Sequence, residues 1–292
     1  MGEKLAHQIQ KIITQQKIPI PLSLVITTGD IADTADPVEY LVAKDFFDAL
    51  YTKSNLETKY AVFMPGNHDV SFSECQSVHK LAKYKNFEPQ QLIDEQEKRK
   101  FKNYNEFIKN FHNSTDDIPR KALKNGSFLY NFPDLGLAVM ALNSNEEISH
   151  LTEKSAGLIS ETQFQAVLEA WPKEGITLLA LHHNPISAPD FQRKRLENII
   201  EQKKPTLLLH GHQHSNNSKV SWSNCPILSI GSLSARGEKL PSDEQNTCQL
   251  ILLHPRLQSK NYRYPLVYDY PAKISKKSNH KKNCSSKIFS RL

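Results

Sequence analysis

The sequence predicts an α/β fold whose sheet layer is extended by β-hairpins. Up to about residue 210, short apolar and β-branched runs alternate with segments whose apolar residues recur at helical spacing. After about residue 219, four short apolar runs follow one another with no helical segment between them. There are no internal repeats. Alternation of strands and helices followed by successive strands is typical of an α/β core with added hairpins.

The individual elements follow from two periodicities. Leu5, Ile9, Ile12 and Ile13 recur every three or four residues, which indicates an amphipathic first helix. The predicted helical segments are 2–17, 37–54, 74–115, 160–171 and 188–203. The predicted strands are 23–28, 60–64, 127–132, 136–142, 176–181, 205–210, 219–223, 226–230, 247–253 and 262–267.

Two of these helices carry start signals. Asp36 followed by Pro37 is a favourable helix start, because Asp caps the first turn and proline suits its first position. Ser160 with Gln163 three residues later predicts a capping box.

Segment 74–115 is polar, Lys-rich and studded with aromatic residues, and we interpret it as a helical insertion between core elements. Within it, apolar residues from Phe101 to Phe111 recur at three-and-four spacing. This stripe is compatible with helix packing or with a cap that shields a substrate.

Charge is distributed unevenly along the chain. The 37 Lys and Arg exceed the 31 Asp and Glu, for a net charge of +6. Residues 273–292 hold seven of the cations and no carboxylate side chain, which leaves 30 cations against 31 anions in residues 1–272. We therefore expect one domain over 1–272 and a basic disordered tail over 273–292. Because the body is near neutral, nucleic-acid binding over its whole surface is not favoured.

The chain contains no apolar run of about 18 residues, which disfavours a membrane span. Its first residues lack the pattern of a signal peptide. The four cysteines are scattered and match no metal-ligand spacing, so reduced thiols in a cytoplasmic protein are the simplest expectation. They are Cys75, Cys225, Cys248 and Cys284.

Polar residues follow four of the predicted strands at the point where each strand ends. Because the carboxyl ends of strands in an open α/β sheet face one crevice, these side chains are expected to converge there. They are Asp30 and Asp33 after strand 23–28; Asn67, His68 and Asp69 after 60–64; His182 and His183 after 176–181; and His212 and His214 after 205–210.

Carboxylate, amide oxygen and imidazole together suit Mn²⁺, Fe or Zn²⁺. His212 and His214 lie two residues apart in an extended segment and would project to the same side. Two metals about 3.5–4 Å apart can clamp the attacking and leaving oxygens of a phosphate ester.

In this order, Gly29-Asp-x-x-Asp33, Gly66-Asn-His-Asp69, a strand ending in His182 and Gly211-His-x-His214 resemble the calcineurin-like metallophosphoesterases. The resemblance covers about residues 22–235. It implies a four-layered α/β/β/α sandwich and hydrolysis of phosphate esters by a metal-activated water without a covalent enzyme intermediate. A phosphodiesterase acting on a nucleotide or another small phosphodiester is the first expectation.

By that resemblance, Asp30 would bridge two metals, while Asn67, His182 and His212 would complete the second site. His214 would bind the first metal.

His68 and Asp69 are the candidate catalytic residues, His68 protonating the leaving oxygen or stabilising transition-state charge. Both His182 and His183 are candidate ligands, because a one-residue shift of the strand exchanges them. His182 is favoured because it directly follows the apolar run.

The sequence departs from the family pattern at its start. The family begins with Asp-x-His at the end of its first strand, whereas no Asp-x-His precedes Asp30 here. The fold is therefore expected to be N-terminally incomplete and to hold one or two metals. A start further upstream, a decayed or split gene product, and a single-metal or non-catalytic protein are the alternatives.

Two functional classes thus compete at this stage. One is a metallophosphoesterase acting on a small phosphate ester. The other is a truncated or degenerate member of the fold that is non-catalytic and serves as a partner-binding module or is a gene remnant. Nucleic acid as a partner is not favoured, and the patterns do not predict an oligomeric state.

Overall fold

Helices and strands are interspersed up to residue 210, with three successive helices and then three successive strands between residues 72 and 142, and strands alone follow among the described residues. The computed structural model describes residues 1–18, 20–112, 119–149, 151–152, 157–213, 219–232, 247–254, 266–273 and 287–288.

Four of the five predicted helical segments contain one helix each, with limits within two residues of the prediction, whereas segment 74–115 contains three shorter helices and its residues 113–115 lie outside the described residues. In the described part of the chain, none of them combines the length and apolar composition needed to cross a membrane. The helices are α1 (Gly2–Gln15), α2 (Pro37–Ser54), α3 (Phe72–Lys85), α4 (Pro89–Arg99), α5 (Lys102–Phe111), α6 (Glu161–Ala170) and α7 (Asp190–Lys203).

Both predicted helix starts are confirmed. The Asp36 carboxylate accepts a hydrogen bond from the Val38 N–H at 2.8 Å, with Pro37 in the first turn of α2. The Ser160 hydroxyl accepts from the Gln163 N–H at 3.1 Å, and the Gln163 side chain accepts from the Ser160 N–H at 2.9 Å.

The strands form three sheets. β3, β4, β5, β6, β7, β9 and β8 lie in that order in a seven-stranded sheet, β1 pairs with β2, and β10, β11 and β12 form a third sheet. The strands are β1 (Val25–Thr27), β2 (Ala61–Phe63), β3 (Arg120–Ala122), β4 (Phe128–Phe132), β5 (Leu137–Leu142), β6 (Ile176–Leu181), β7 (Leu207–His210), β8 (Lys219–Trp222), β9 (Cys225–Ser229), β10 (Thr247–His254), β11 (Leu266–Lys273) and β12 (Lys287–Ile288).

Three strands differ from the prediction. Two residues of the short edge strand β3 are charged, so it carries no apolar signal. β11 lies further along the chain than the predicted 262–267, because it pairs with the whole of β10, from Leu266 opposite His254 to Lys273 opposite Thr247. Lys287 and Ile288 form β12 against β11 within the segment predicted as a tail.

Both faces of the seven-stranded sheet are buried at its centre, which explains why the central strands β5, β6 and β7 consist mainly of apolar residues. Successive side chains of a strand point to opposite faces. Leu178 and Ala180 of β6 pack in one cluster with Val62 and Met64 from and just after β2. The intervening side chains of β6 pack in another cluster with α6 and α7.

Helices α1, α2 and α5 cover the outer face of the β1–β2 pair. At the centre of this layer, the Phe63 ring contacts the rings of Phe47, Phe107 and Phe111, with centroids 5.1, 5.5 and 5.3 Å apart. The aromatic stripe of the insertion is therefore used for helix packing. The resulting order of layers, helices, sheet, sheet, helices, confirms the expected α/β/β/α sandwich.

A buried lysine anchors the insertion to the loop that follows β5. Lys100, between α4 and α5, is 2 % exposed and forms an ion pair with Glu97. Its Nζ also donates to the main-chain carbonyl of Glu146 at 3.2 Å. The insertion is thus held to the core beside the carboxyl end of β5.

We predict that Phe63→Ala lowers the free energy of unfolding by about 3–5 kcal/mol, because it removes a ring from the centre of the outer core and leaves a cavity. Urea denaturation measures the change. Tyr84→Ala is the matched control, since the Tyr84 side chain is 85 % exposed and its loss should cost less than about 0.5 kcal/mol. Equal destabilisation by both substitutions would contradict this assignment of the core.

Candidate metal centre

The carboxyl ends of β1, β2, β6 and β7 meet at one edge of the two facing sheets. β1 pairs in parallel with β2, and β6 pairs in parallel with β7, so each pair delivers its carboxyl-end loops to the same side. The two sheets touch there: the His182 ring bonds to the Thr28 carbonyl after β1, and a Cβ at Gly211 would lie 2.8 Å from the Thr28 hydroxyl. The loops predicted to carry ligands are therefore neighbours in space.

His182 lies at the middle of the cluster and is 1 % exposed. Its Nδ1 bonds to the Thr28 carbonyl at 2.7 Å. Its Nε2 lies 3.0 Å from Asn67 Oδ1, 3.2 Å from His212 Nδ1 and 3.3 Å from Asp30 Oδ1. Four sequence-predicted ligands therefore converge on one small volume.

This convergence fits a cation. A carbonyl accepts but does not donate, so Nδ1 of His182 carries the ring hydrogen and the Nε2 lone pair faces the other groups. Carboxylate oxygen, amide oxygen and imidazole nitrogen then present electron pairs to one another, and a divalent metal bound between them would remove this repulsion. The backbone contact of His182 is the kind that fixes the orientation and tautomer of a metal-binding histidine.

His183 also faces the cluster. One ring nitrogen from each of His182, His183 and His212 lies within 4.8 Å of the others. The His183 Nδ1 bonds to the Ser144 hydroxyl at 2.8 Å. Burial, together with the neighbouring His182 and His212, lowers the pKa of His183 to about 2, so this ring is neutral at physiological pH.

Asp30 is placed by unusual backbone geometry. Gly29 and Asp30 have φ angles of +100° and +55°, which turn the chain sharply after β1. A Cβ at Gly66 would lie 2.1 Å from Asp30 Oδ1, so glycine is required where the two loops cross. The same Oδ1 accepts the His68 main-chain N–H at 3.1 Å.

Asp69 joins the same two loops from beneath and is fully buried. Its oxygens accept from Gly66 N–H at 2.8 Å, from Ala32 N–H at 3.1 Å and from the Tyr40 hydroxyl at 3.0 Å, with a longer bond from Ile31 N–H at 3.3 Å. Burial and the nearby Asp30 charge raise the pKa of Asp69 to about 7, although these donors act in the opposite direction. Its carboxylate thus holds backbone in place and does not face the ligand cluster.

His68 lies at the rim of the centre, with 39 % of its side chain exposed. Its Nδ1 bonds to the Asp33 carbonyl at 2.7 Å, and the Asp33 carboxylate is 3.7 Å away. The carbonyl fixes the hydrogen on Nδ1, which leaves Nε2 free to carry a second proton.

His214 falls outside the described residues. Of the other predicted site residues, Asp30, Asn67, His182, His183 and His212 are brought together, His68 lies beside them, and Asp69 lies beneath.

Sequence reasoning missed Ser144 and Thr28. Ser144 sits just after the apolar strand β5, so the rule that selected the other loops applies to it as well. Thr28 contributes its main-chain carbonyl, for which side-chain identity carries no signal.

We predict that Asp69→Asn lowers the free energy of unfolding by about 2 kcal/mol or more at pH 8, because an amide would direct N–H groups at backbone donors. It should also weaken Mn²⁺ binding, since the loops that carry Asp30 and Asn67 lose their common anchor. Urea denaturation and calorimetric titration measure the two effects.

Asp48→Asn is the control, because the half-exposed Asp48 bonds only to Lys44 among the recorded ion pairs of the described residues. Wild-type stability and Mn²⁺ affinity in Asp69→Asn would show that the loops do not depend on this carboxylate.

Comparison with known proteins agrees with the fold. A search of curated protein sequences gave no match at a significant level. The family model described as calcineurin-like phosphoesterase matches residues 3–216, which is 214 of the 292 residues and includes every candidate ligand named above. With a four-layered sandwich and ligands gathered at its strand ends, this chain belongs to the calcineurin-like phosphoesterase family, whose members are metal-dependent hydrolases of phosphoester bonds.

Proposed function

We propose that this member of the family is a phosphodiesterase that acts on a nucleotide or another small phosphodiester and uses Mn²⁺, Fe or Zn²⁺. The observation that carries the proposal is the convergence of Asp30, Asn67 and His212 on the Nε2 of His182, within 3.0–3.3 Å. Such a set binds a divalent metal without thiolate.

Asp30, Asn67, His182 and His212 would hold one metal, and Asp30 with His214 would contribute to a second. When bound, a divalent metal supplies Lewis acidity that activates a water and offsets charge on the phosphate. The chain's own contribution is to fix the ligands: Thr28 orients His182, and the His68 N–H orients the Asp30 carboxylate.

His68 is proposed as the general acid. Its Nδ1–H is held by the Asp33 carbonyl, so a proton taken up on Nε2 is available at the rim of the centre. As the water oxygen bonds to phosphorus, the phosphorus–oxygen bond to the leaving group breaks, and the leaving oxygen takes the Nε2 proton. The Asp33 carboxylate also lies close to this ring, 3.7 Å from Nδ1.

Asp69 is proposed to act as a positioning residue in this reaction. It is buried and bonded to the backbone of both ligand loops, so it supports Asp30 and Asn67 without touching the substrate.

A small phosphate ester suits the near-neutral body of the chain better than nucleic acid does, since positive charge at the site would come from metal. We also propose a cytoplasmic location. Among the described residues, Cys75, Cys225 and Cys248 form no disulfide bond, as expected in a reducing compartment.

We predict that the purified chain hydrolyses an aryl phosphodiester in the presence of Mn²⁺, and that removal of metal by EDTA abolishes turnover. His68→Ala should lower kcat by about 10²–10³, as expected for loss of a general acid, with Mn²⁺ affinity unchanged. Asn67→Ala should lose both Mn²⁺ affinity and activity.

His7→Ala is the matched control, because His7 is an exposed histidine on α1 that bonds to its own helix backbone. Rates no greater in the wild type than in His68→Ala and Asn67→Ala would overturn the catalytic proposal. Turnover of aryl monoesters alone would overturn the choice of a diester.

A further inference from the structure

Two adjacent histidines at the end of β6 face the centre with different partners on Nδ1. For His182 the partner is a main-chain carbonyl, which can only accept. Nδ1 of His182 therefore carries the hydrogen, and its Nε2 presents a lone pair to Asp30 and Asn67.

For His183 the partner is the Ser144 hydroxyl, which can donate or accept a hydrogen bond. The second hydrogen bond of Ser144 therefore decides whether its hydroxyl donates to His183 or accepts from it. Ser144 Oγ also lies 3.2 Å from the main-chain N of His183 and accepts that N–H. These are the two hydrogen bonds recorded for this hydroxyl in the described part of the chain, and Ser144 is fully buried. Its single hydrogen consequently has one available acceptor, His183 Nδ1.

The hydrogen of the neutral His183 ring is then on Nε2, the reverse of His182. That Nε2 is buried and has no hydrogen-bond partner among the residues that the structure describes. The His183 side chain is also confined by its neighbours. Its ring centroid lies 4.7 Å from that of His212, and a Cβ built at Gly157 would lie 2.3 Å from the Cβ of His183. A buried donor without an acceptor is energetically unfavourable, and an acceptor arriving with a ligand would remove that cost.

We propose that His183 is a hydrogen-bond donor to an anionic oxygen of the phosphate ester and is not a metal ligand, and that Ser144 is the positioning residue that selects this tautomer. The proposal rests on the proposed function for the nature of the ligand. It assigns the two neighbouring histidines different tasks: His182 offers an electron pair to metal, and His183 offers an N–H to the substrate. A neutral N–H donor is compatible with a metal and a phosphate oxygen bound side by side, because it adds no positive charge to the centre.

The first test uses metal-free protein and needs no turnover. Two-bond ¹H–¹⁵N correlation spectra show which ring nitrogen of each histidine is protonated. We expect hydrogen on Nδ1 of His182 and on Nε2 of His183 in the wild type. In Ser144→Ala, His183 should lose this preference and populate both tautomers.

Ser127→Ala is the matched control for that measurement. The Ser127 hydroxyl is equally buried and lies in the adjacent polar network, accepting from Asn143 N–H at 3.0 Å and Gln163 Nε2 at 2.8 Å, but it does not contact His183. Ser127→Ala should leave the tautomers of His182 and His183 as they are in the wild type. Hydrogen on Nδ1 of His183 in the wild type would overturn the proposal.

The second test separates a ligand from a donor by titrating Mn²⁺ and then inorganic phosphate calorimetrically. His182→Ala should weaken Mn²⁺ binding by about 100-fold or more. His183→Ala should change the Mn²⁺ Kd by less than about threefold but weaken phosphate binding to the Mn²⁺ form by about tenfold, the effect of one hydrogen bond to a charged group. His183→Gln, which restores an N–H donor, should recover part of that loss.

Equal loss of Mn²⁺ affinity in His182→Ala and His183→Ala would make His183 a ligand and overturn the proposal. Unchanged phosphate affinity in His183→Ala would do the same. Failure of the proposed function is a different result: absence of diester turnover with the expected tautomers, Mn²⁺ binding and phosphate binding intact would overturn the reaction and leave the role of His183 standing.

Discussion

Burial of both faces of the seven-stranded sheet is the constraint on which the rest of the structure depends. A strand covered on both sides has no position for an unpaired polar side chain, so β5, β6 and β7 are apolar except for Thr177 near the start of β6 and His210 at the end of β7. The polar groups of the site follow the strand ends. Because the central strands are parallel, those ends lie along one edge, and the chemistry of the protein is gathered there.

The side chains at this edge are held by buried hydrogen bonds to backbone. Asp69 fastens the loops after β1 and β2 to each other, and Thr28 aligns His182 across the gap between the two sheets. Ser144 holds His183 from the neighbouring strand end. Such contacts fix the side chains of the site in place before metal or substrate binds, which reduces the ordering that binding must accomplish. A metal centre built in this way depends as much on carbonyls, hydroxyls and a hidden carboxylate as on its ligands.

The elements predicted best are those in which burial of one or two faces leaves a clear pattern of apolar residues in the sequence. Strand β6 was predicted with its observed limits and α2 likewise, because all but one of the β6 residues are apolar and α2 has an Asp36 cap. Strand β3 was missed because charged residues dominate an exposed edge, and the extent of β11 was misplaced because pairing with β10, a distant part of the chain, determines its length. Local pattern carries no information about such partners.

The sequence by itself determined the α/β class, the four strand ends that carry the candidate ligands and the family, since apolar periodicity and short motifs are local properties of the chain. Only the tertiary structure decided what each polar residue in a motif does. Asn67, His68 and Asp69 are consecutive, yet one meets His182, one lies at the rim and one is buried beneath the loops. The reason is physical, because a short 3-10 turn over Asn67–Asp69 points successive side chains in different directions. The groups that Asn67 and Asp69 then meet include His182 and the Ala32 N–H, which lie far from them in sequence.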